Sequence, residues 1–248
     1  MKARRLPSAA GRGVLSGQAP LGLPTFEAAA YQPAPSPGPA CQQAQPVDIA
    51  VPEGWDPDAV NEIDMGFAVD DSGSMYGPWG DPRGVRRAAS LSVLRLVARS
   101  RRARVGVVHW GSEAPAHLVL PLTAVRHRRQ IEAGLALPPS LGGNNFPAAL
   151  ARSREVLQAS GPTRIKVIIA ITDGIEELDA AAAQQLALLP PRSVHVVLVD
   201  HSHGCTPDLE AGWLALPLGS FTRLDLLDTR QMANQIAQIV ATATAPRP

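Results

Sequence analysis

Short apolar runs alternate with amphipathic stretches along residues 61–243, and this alternation predicts the order of strands and helices. Strands that are apolar throughout, separated by amphipathic helices, are typical of a mostly parallel sheet covered on both faces. We therefore expect a doubly wound, Rossmann-like α/β domain with helices on both faces. The predicted strands are 63–69, 104–110, 116–120, 164–171, 193–199 and 221–224. The predicted helices are 83–100, 125–136, 147–160, 179–189 and 228–243. A tight turn precedes 116–120, which predicts one antiparallel edge strand.

The first sixty residues show neither the two-residue period of a strand nor the 3.6-residue period of a helix. They are rich in Pro, Ala and Gly, as in Gln32-Pro33-Ala34-Pro35-Ser36-Pro37-Gly38-Pro39, and such composition favours an extended, poorly packed segment. The sequence thus predicts a poorly ordered N-terminal tail over 1–60, a domain over 61–243 and a short C-terminal tail over 244–248.

Charge and cysteine content narrow the classes of function. The formal net charge is +1, which gives no reason to expect a nucleic-acid or membrane partner. Cys41 and Cys205 lie in unrelated contexts and do not form a disulfide framework, so a reducing compartment fits. Met1-Lys2-Ala3-Arg4-Arg5 is not followed by an apolar segment of signal-peptide length. We therefore expect a cytoplasmic protein.

Three polar motifs carry the candidate chemistry. Asp70-x-Ser72-x-Ser74 ends the first strand, Gly142-Gly143-Asn144-Asn145 lies in a loop, and Ile171-Thr172-Asp173-Gly174 ends a later strand. Carboxylate and hydroxyl oxygens are ligands that a hard divalent cation prefers. Ligands of doubly wound domains bind at the carboxyl ends of the strands, so the candidate residues are expected at one edge of the sheet.

In this order, the three motifs resemble the von Willebrand factor A family, which includes the integrin inserted domains. The resemblance covers about residues 61–243. It implies a metal-ion-dependent adhesion site (MIDAS), in which Mg²⁺ or Mn²⁺ is held by Asp70, Ser72, Ser74, Asn144 and Asp173. Ser72 and Ser74 would bind the ion directly, and the aspartates mainly through water. The family has Thr at the position of Asn144. An amide carbonyl oxygen can bind a hard cation, but its reach differs from that of a hydroxyl.

The resemblance also implies a function. A partner protein's Asp or Glu carboxylate would complete the coordination of the ion, so the expected function is non-enzymatic, metal-dependent protein binding. Bacterial family members without signal peptides often act beside AAA ATPases of the MoxR type, or in multi-protein conflict and assembly systems. Such a complex is the expected setting of the partner.

Two other functions remain open from the sequence. One is a metal-assisted hydrolase that uses Asp70, Asp71 and Asp173, which would need a positioned base or a second metal. The other is a structural adaptor whose metal site has degenerated at Asn144. A phosphorelay receiver is disfavoured because Lys166 precedes Asp173, whereas a receiver needs a later lysine. Asp71 is expected to face solvent or cap a turn.

Further polar features have simpler interpretations. His201-Ser202-His203-Gly204-Cys205 is expected to be a polar loop rather than a Zn²⁺ site, since no second cluster supplies ligands. The arginines of the region 86–104 are expected on a solvated helix face, because aromatic residues do not interleave with them. Packing at a strand end is the expected role of His109 and Trp110. Trp79 is a weaker candidate for an interface anchor beside the metal.

Overall fold

The computed structural model describes residues 43–77, 80–111, 117–176, 178–200, 204–224 and 227–245. Several sequence-based predictions lie outside these residues: the tail up to residue 42, Cys41, the interface role of Trp79, and the His201–His203 part of the histidine loop.

The described residues form strands and helices in alternation. Strands are β1 (Ile63–Asp70), β2 (Arg104–Trp110), β3 (His117–Ala124), β4 (Ile165–Thr172), β5 (Val194–Val199) and β6 (Ser220–Leu224). Helices are α1 (Pro57–Asn61), α2 (Gly73–Tyr76), α3 (Val85–Val97), α4 (Arg128–Gly134), α5 (Phe146–Gln158), α6 (Ala180–Ala187), α7 (Pro207–Leu214) and α8 (Thr229–Thr244), with a 3₁₀ turn at Val125–His127.

The six strands of the described region form one sheet in the order β3-β2-β1-β4-β5-β6. Neighbouring strands are parallel except β2 and β3, which are antiparallel. The predicted fold class, including the antiparallel edge strand, is confirmed. Strand order reverses between β1 and β4, and the carboxyl ends of both central strands therefore meet at the point where such folds bind ligands.

Alternation along β1 divides the core into two layers. Ile63, Met65, Phe67 and Val69 pack with apolar residues of α3 and α8 on one face. Ala68 packs on the other face with residues of α5 and α6. Small residues let the helices of this second face approach the sheet closely. At Gly106 of β2, for example, a Cβ would lie 2.4 Å from Val156 Cγ1.

Three short helices were not predicted. Helices α1 and α2 have five and four residues, too few for a 3.6-residue period to show. Helix α7 does carry a start signal, because Thr206 caps it through its hydroxyl and Pro207 occupies its first turn. That pairing is a standard helix start.

Residues 43–56, which the sequence analysis placed in the tail, contact the domain. The Ala44 amide donates to the Arg83 carbonyl at 2.8 Å, and Ala44 is buried. The Val47 amide donates to Ser92 Oγ at 2.9 Å. This segment therefore runs along α3, from Arg83 just before the helix to Ser92 within it. None of the described helices combines the length and apolar character needed to cross a membrane.

Candidate functional site

The first motif brings one carboxylate and two hydroxyls together where β1 ends. Asp70 is fully buried, and its Oδ1 accepts the Ser72 amide at 2.8 Å. The Ser72 and Ser74 hydroxyl oxygens lie 3.0 Å apart. Ser72 stands at the N-cap of α2, but its side chain caps no helix amide. Ser74 is exposed, so the hydroxyl pair reaches from the buried carboxylate to the solvent.

The third motif lies beside the first because β1 and β4 are parallel neighbours. The Thr172 hydroxyl donates to Asp70 Oδ2 at 2.6 Å and accepts the Gly174 amide at 3.0 Å. Asp173 Oδ1 accepts the Ile175 amide at 3.2 Å. Asp173 Oδ2, in contrast, is buried without a hydrogen-bond partner. A buried, unpaired carboxylate oxygen is expected where the group binds a cation or a hydrogen-bond donor from outside the protein.

The second motif also lies at this edge. The Gly73 amide donates to the Gly142 carbonyl at 2.6 Å, which holds the glycine loop against α2. Gly142 has φ of 87°, a conformation that glycine adopts without strain. Asn144 follows, and its Oδ1 accepts the indole N–H of Trp110 at 2.8 Å, whereas its Nδ2 is buried without a partner.

Glu176 is a site residue that the sequence analysis missed. Its carboxylate accepts the Phe146 amide, at 2.8 Å from Oε1 and 3.1 Å from Oε2, and thereby caps the first turn of α5. Burial, together with the charges of Asp70, Asp179 and Asp173, raises the pKa of Glu176 to about 7. Its place three residues after Asp173 was the available signal, but only the fold shows that the chain turns back towards α5.

The electrostatics of this edge favour a cation. Burial raises the pKa of Asp70 to about 7, with a further contribution from the Asp173 charge. Within the described part of the chain, no ion pair involves Asp70, Asp173 or Glu176. Neighbouring buried carboxylates without a counter-charge oppose each other's ionisation. A divalent ion would relieve that repulsion, so the residues present fit such an ion.

The oxygen atoms at this edge include few carboxylates. No group of three or more His, Cys, Asp or Glu side chains in the described ranges is arranged to hold a metal. Any ion at this edge would therefore depend on the Ser72 and Ser74 hydroxyls and on water, together with few carboxylate oxygens. Mg²⁺ commonly keeps several waters and takes one or two protein carboxylates.

Asp71 is directed away from this edge, contrary to the prediction that it faces solvent or caps a turn. It is fully buried. Its Oδ1 accepts Arg86 Nη2 and the Tyr76 hydroxyl, each at 2.8 Å, and its Oδ2 contacts His109 Nδ1. Arg86 also pairs with Asp81 through Nη1 at 3.0 Å. Both Asp71 oxygens are thus occupied, which removes Asp71 from the set of acids that a hydrolase could use.

Arg86 corrects the interpretation of the arginine run. Its side chain is completely buried and lies over the Tyr76 ring, with Cζ 4.9 Å from the ring centroid. Arg95, Arg99 and Arg101 are exposed, as predicted. The buried arginine ties α3 to the loop after β1 and so helps to place the Asp-x-Ser-x-Ser motif.

The remaining candidates have structural roles. Trp110 packs in the core 6.0 Å from Phe146, measured between ring centroids. His109 is buried between Asp71 and the Gly134 carbonyl, which its Nε2 contacts at 2.8 Å. Cys205 is a buried free thiol, and burial is the main cause that raises its pKa to about 11. A thiol with a raised pKa is a poor nucleophile at neutral pH.

Comparisons with known proteins agree with this fold. Residues 65–176 match the family model described as "von Willebrand factor type A domain". No curated protein matches the chain.

Solved structures share the fold at low identity. The pilus adhesin SpaC from Lactobacillus rhamnosus GG has a TM-score of 0.57 at 16% identity, over 82% of this chain and 31% of the adhesin. The minor pilin PilB from Streptococcus sanguinis has a TM-score of 0.56 at 14% identity, over 73% of this chain and 60% of the pilin. A von Willebrand factor type A protein from Catenulispora acidiphila has a TM-score of 0.52 at 18% identity, over 73% of this chain and 42% of that protein. The chain thus spans less than two thirds of each of these structures.

Proposed function

Because residues 65–176 belong to the von Willebrand factor type A domain family, we propose that this chain is a metal-dependent protein-binding module. Asp70, Ser72, Ser74 and Asp173 would hold Mg²⁺ or Mn²⁺ at the carboxyl edge of the sheet. The bound ion would supply an electrophilic position that a partner's Asp or Glu carboxylate can occupy. The observation that carries the proposal is the unpaired, buried Asp173 Oδ2 beside Asp70 and the Ser72–Ser74 hydroxyl pair.

The contacts favour binding over catalysis. The Ser72 hydroxyl contacts the Ser74 hydroxyl rather than a base, and a serine nucleophile needs an adjacent base for activation. Asp71, the acid assigned to the alternative hydrolase, is committed to Arg86, Tyr76 and His109. The edge therefore offers oxygen ligands without an activated nucleophile.

We further propose that the partner belongs to a bacterial multi-protein assembly. Two proteins of similar fold are described as a pilus adhesin and a minor pilin, and both names denote parts of assemblies. A partner associated with a MoxR-type AAA ATPase in the cytoplasm is the narrower version of this proposal, and it rests on family resemblance alone.

The experiment compares thermal unfolding of the purified chain in Mg²⁺, Mn²⁺ and EDTA, and binding to immobilised peptides that differ only by Glu or Gln. The variants are Ser72→Ala and Asp173→Asn, and Asp58→Asn serves as a matched control because Asp58 is an exposed acid in α1. We expect ion-dependent stabilisation and Glu-selective binding in the wild type and the control, and neither in the two site variants. Equal melting temperatures of the wild type in Mg²⁺ and EDTA would contradict the proposal that the site binds a metal ion.

A further inference from the structure

We propose that Asn144 recognises the partner's carboxylate as a hydrogen-bond donor and does not bind the metal through its carbonyl oxygen. This inference rests on the proposed function, because it assigns a role within the same site. It departs from the sequence-based expectation, which placed Asn144 among the metal ligands.

The orientation of the Asn144 amide is set by Trp110. An indole N–H can donate but never accept, and Trp110 is only 1% exposed, so the N–H needs a protein acceptor. Asn144 Oδ1 is that acceptor, at 2.8 Å. The indole has little freedom to move, because Trp110 ends β2, pairs with Asp70 in the sheet and packs against Phe146.

Rotating the amide by 180° would place two donors against each other. The Asn144 NH₂ would then face the indole N–H, and both groups would be buried without an acceptor. The backbone on either side is also fixed, because the Gly73 amide binds the Gly142 carbonyl and Asn145 caps α5 through the Ala148 amide. Asn144 is therefore held with its oxygen turned to the indole and with its buried nitrogen unpaired.

The unpaired nitrogen is unsuited to a cation and suited to an anion. Asn144 Nδ2 is buried and has no partner. An amide N–H repels a metal ion but donates a strong, charge-assisted hydrogen bond to a carboxylate. Asp173 Oδ2 is the corresponding unpaired acceptor of the site. Asp173 Oδ2 thus suits the ion, and Asn144 Nδ2 suits the carboxylate that the ion attracts.

The two roles explain why Asn can replace the family's Thr. Ser72 and Ser74 already supply hydroxyl oxygens, so the loss of a third hydroxyl is compensated by water, which Mg²⁺ retains readily. In return, the site gains a donor that is oriented before the partner arrives. A preoriented donor strengthens binding because less freedom is lost on association.

The test measures Mg²⁺ affinity by calorimetry and acetate affinity of the Mg²⁺-loaded protein by NMR titration. Acetate is the carboxylate probe. The main variant is Trp110→Phe/Asn144→Ala, which removes donor and acceptor together and leaves no orphaned indole. We expect its Mg²⁺ affinity to stay within about twofold of the wild type, and its acetate affinity to fall about tenfold, as the loss of a hydrogen bond to a charged group predicts.

A second variant guards against misfolding. Asn144→Asp keeps an acceptor for the Trp110 indole and replaces the donor by an oxygen. We expect Mg²⁺ binding that is equal or tighter, and acetate binding that is weakened at least as much as in the double variant. The Asn144 side-chain amide signal, identified by its loss in Asn144→Asp, should shift downfield when acetate is added to the loaded wild type.

The outcomes separate the two proposals. A tenfold loss of Mg²⁺ affinity in the double variant would show that Asn144 is a metal ligand and overturn this inference alone. Unchanged acetate affinity in both variants would do the same. Absence of Mg²⁺ binding by the wild type would instead overturn the proposed function, and this inference with it.

Discussion

Replacing Asp70 by Asn should stabilise the metal-free protein and abolish its response to Mg²⁺. The substitution removes a charge but keeps the shape of the side chain. Asn Oδ1 can still accept the Ser72 amide, and the Thr172 hydroxyl, which donates to Asp70 Oδ2, can accept from the new NH₂ instead. The fold should therefore tolerate the change, and the charge becomes the main variable.

The magnitude follows from the pKa of Asp70, which burial and Asp173 raise from 3.8 to about 7. Between these two values the folded state holds a proton that the unfolded state has released, so stability falls as pH rises through this range and is level above it. At 1.36 kcal/mol for each tenfold change in proton affinity, the ionised carboxylate costs about 4 kcal/mol at pH 8. That is a ceiling, because Asp173 shares the repulsion.

The assay is urea-induced unfolding at pH 8 in EDTA and in Mg²⁺, with Asp58→Asn as the control. In EDTA, Asp70→Asn should be more stable than the wild type by up to about 4 kcal/mol, or roughly 10 °C in melting temperature. In Mg²⁺ the wild type should gain stability and the variant should not. A variant less stable than the wild type in EDTA would refute the electrostatic argument, and one that gains equally from Mg²⁺ would refute the ion's location.

Three further changes test the scaffold. Asp64→Asn should cost about 3 kcal/mol by urea unfolding, because the buried Asp64 carboxylate receives hydrogen bonds from Arg104 and Arg164; a cost below 1 kcal/mol would contradict this. Arg86→Met should cost about 3 to 5 kcal/mol, because it leaves Asp71 buried without its guanidinium; adding Asp71→Asn should recover part of the loss, and no recovery would exclude the charge as the cause. His195→Gln tests pH dependence, because burial lowers the pKa of His195 from 6.5 to about 4. As the pH falls, the unfolded state takes up the proton first. The free energy of unfolding of the wild type should therefore fall by about 3 kcal/mol between pH 6.5 and 4, and that of the variant should not. Equal slopes over that range in the two proteins would contradict it.

The location of the site followed from the sequence because it depends on local patterns. Two apolar runs end at Asp70 and Asp173, and parallel strands bring their carboxyl ends to one edge whatever their order. The prediction needed no knowledge of side-chain partners. The Ser72 and Ser74 hydroxyls follow within one turn of the chain, so their proximity to Asp70 was also local.

The partners of the neighbouring residues did not follow, because they come from distant parts of the chain. Asp71 meets Arg86 across 15 residues and His109 across 38, and no local pattern states that pairing. One signal was present for Arg86, since it lies three residues before Ala89 and seven before Val93, which is the spacing of one helix face. An arginine on the apolar face of a helix predicts a buried acid as its partner. For Glu176 the signal was its position three residues after Asp173, which does not reveal the contact with α5.

Asp70 and Asp71 show how consecutive residues divide two tasks. Because side chains alternate along extended backbone, the two carboxylates leave the end of β1 in different directions. Asp71 takes Arg86 and His109 as partners and anchors the loop. Arg86 is committed to Asp71 and Asp81, and among the described residues no cation pairs with Asp70, which lies next to Asp173. A site neutralised by Arg86 would have no electrostatic reason to take a divalent ion. The buried network thus gives the loop its rigidity while leaving the neighbouring edge its negative charge, and both are conditions for holding an ion that a partner's carboxylate can reach.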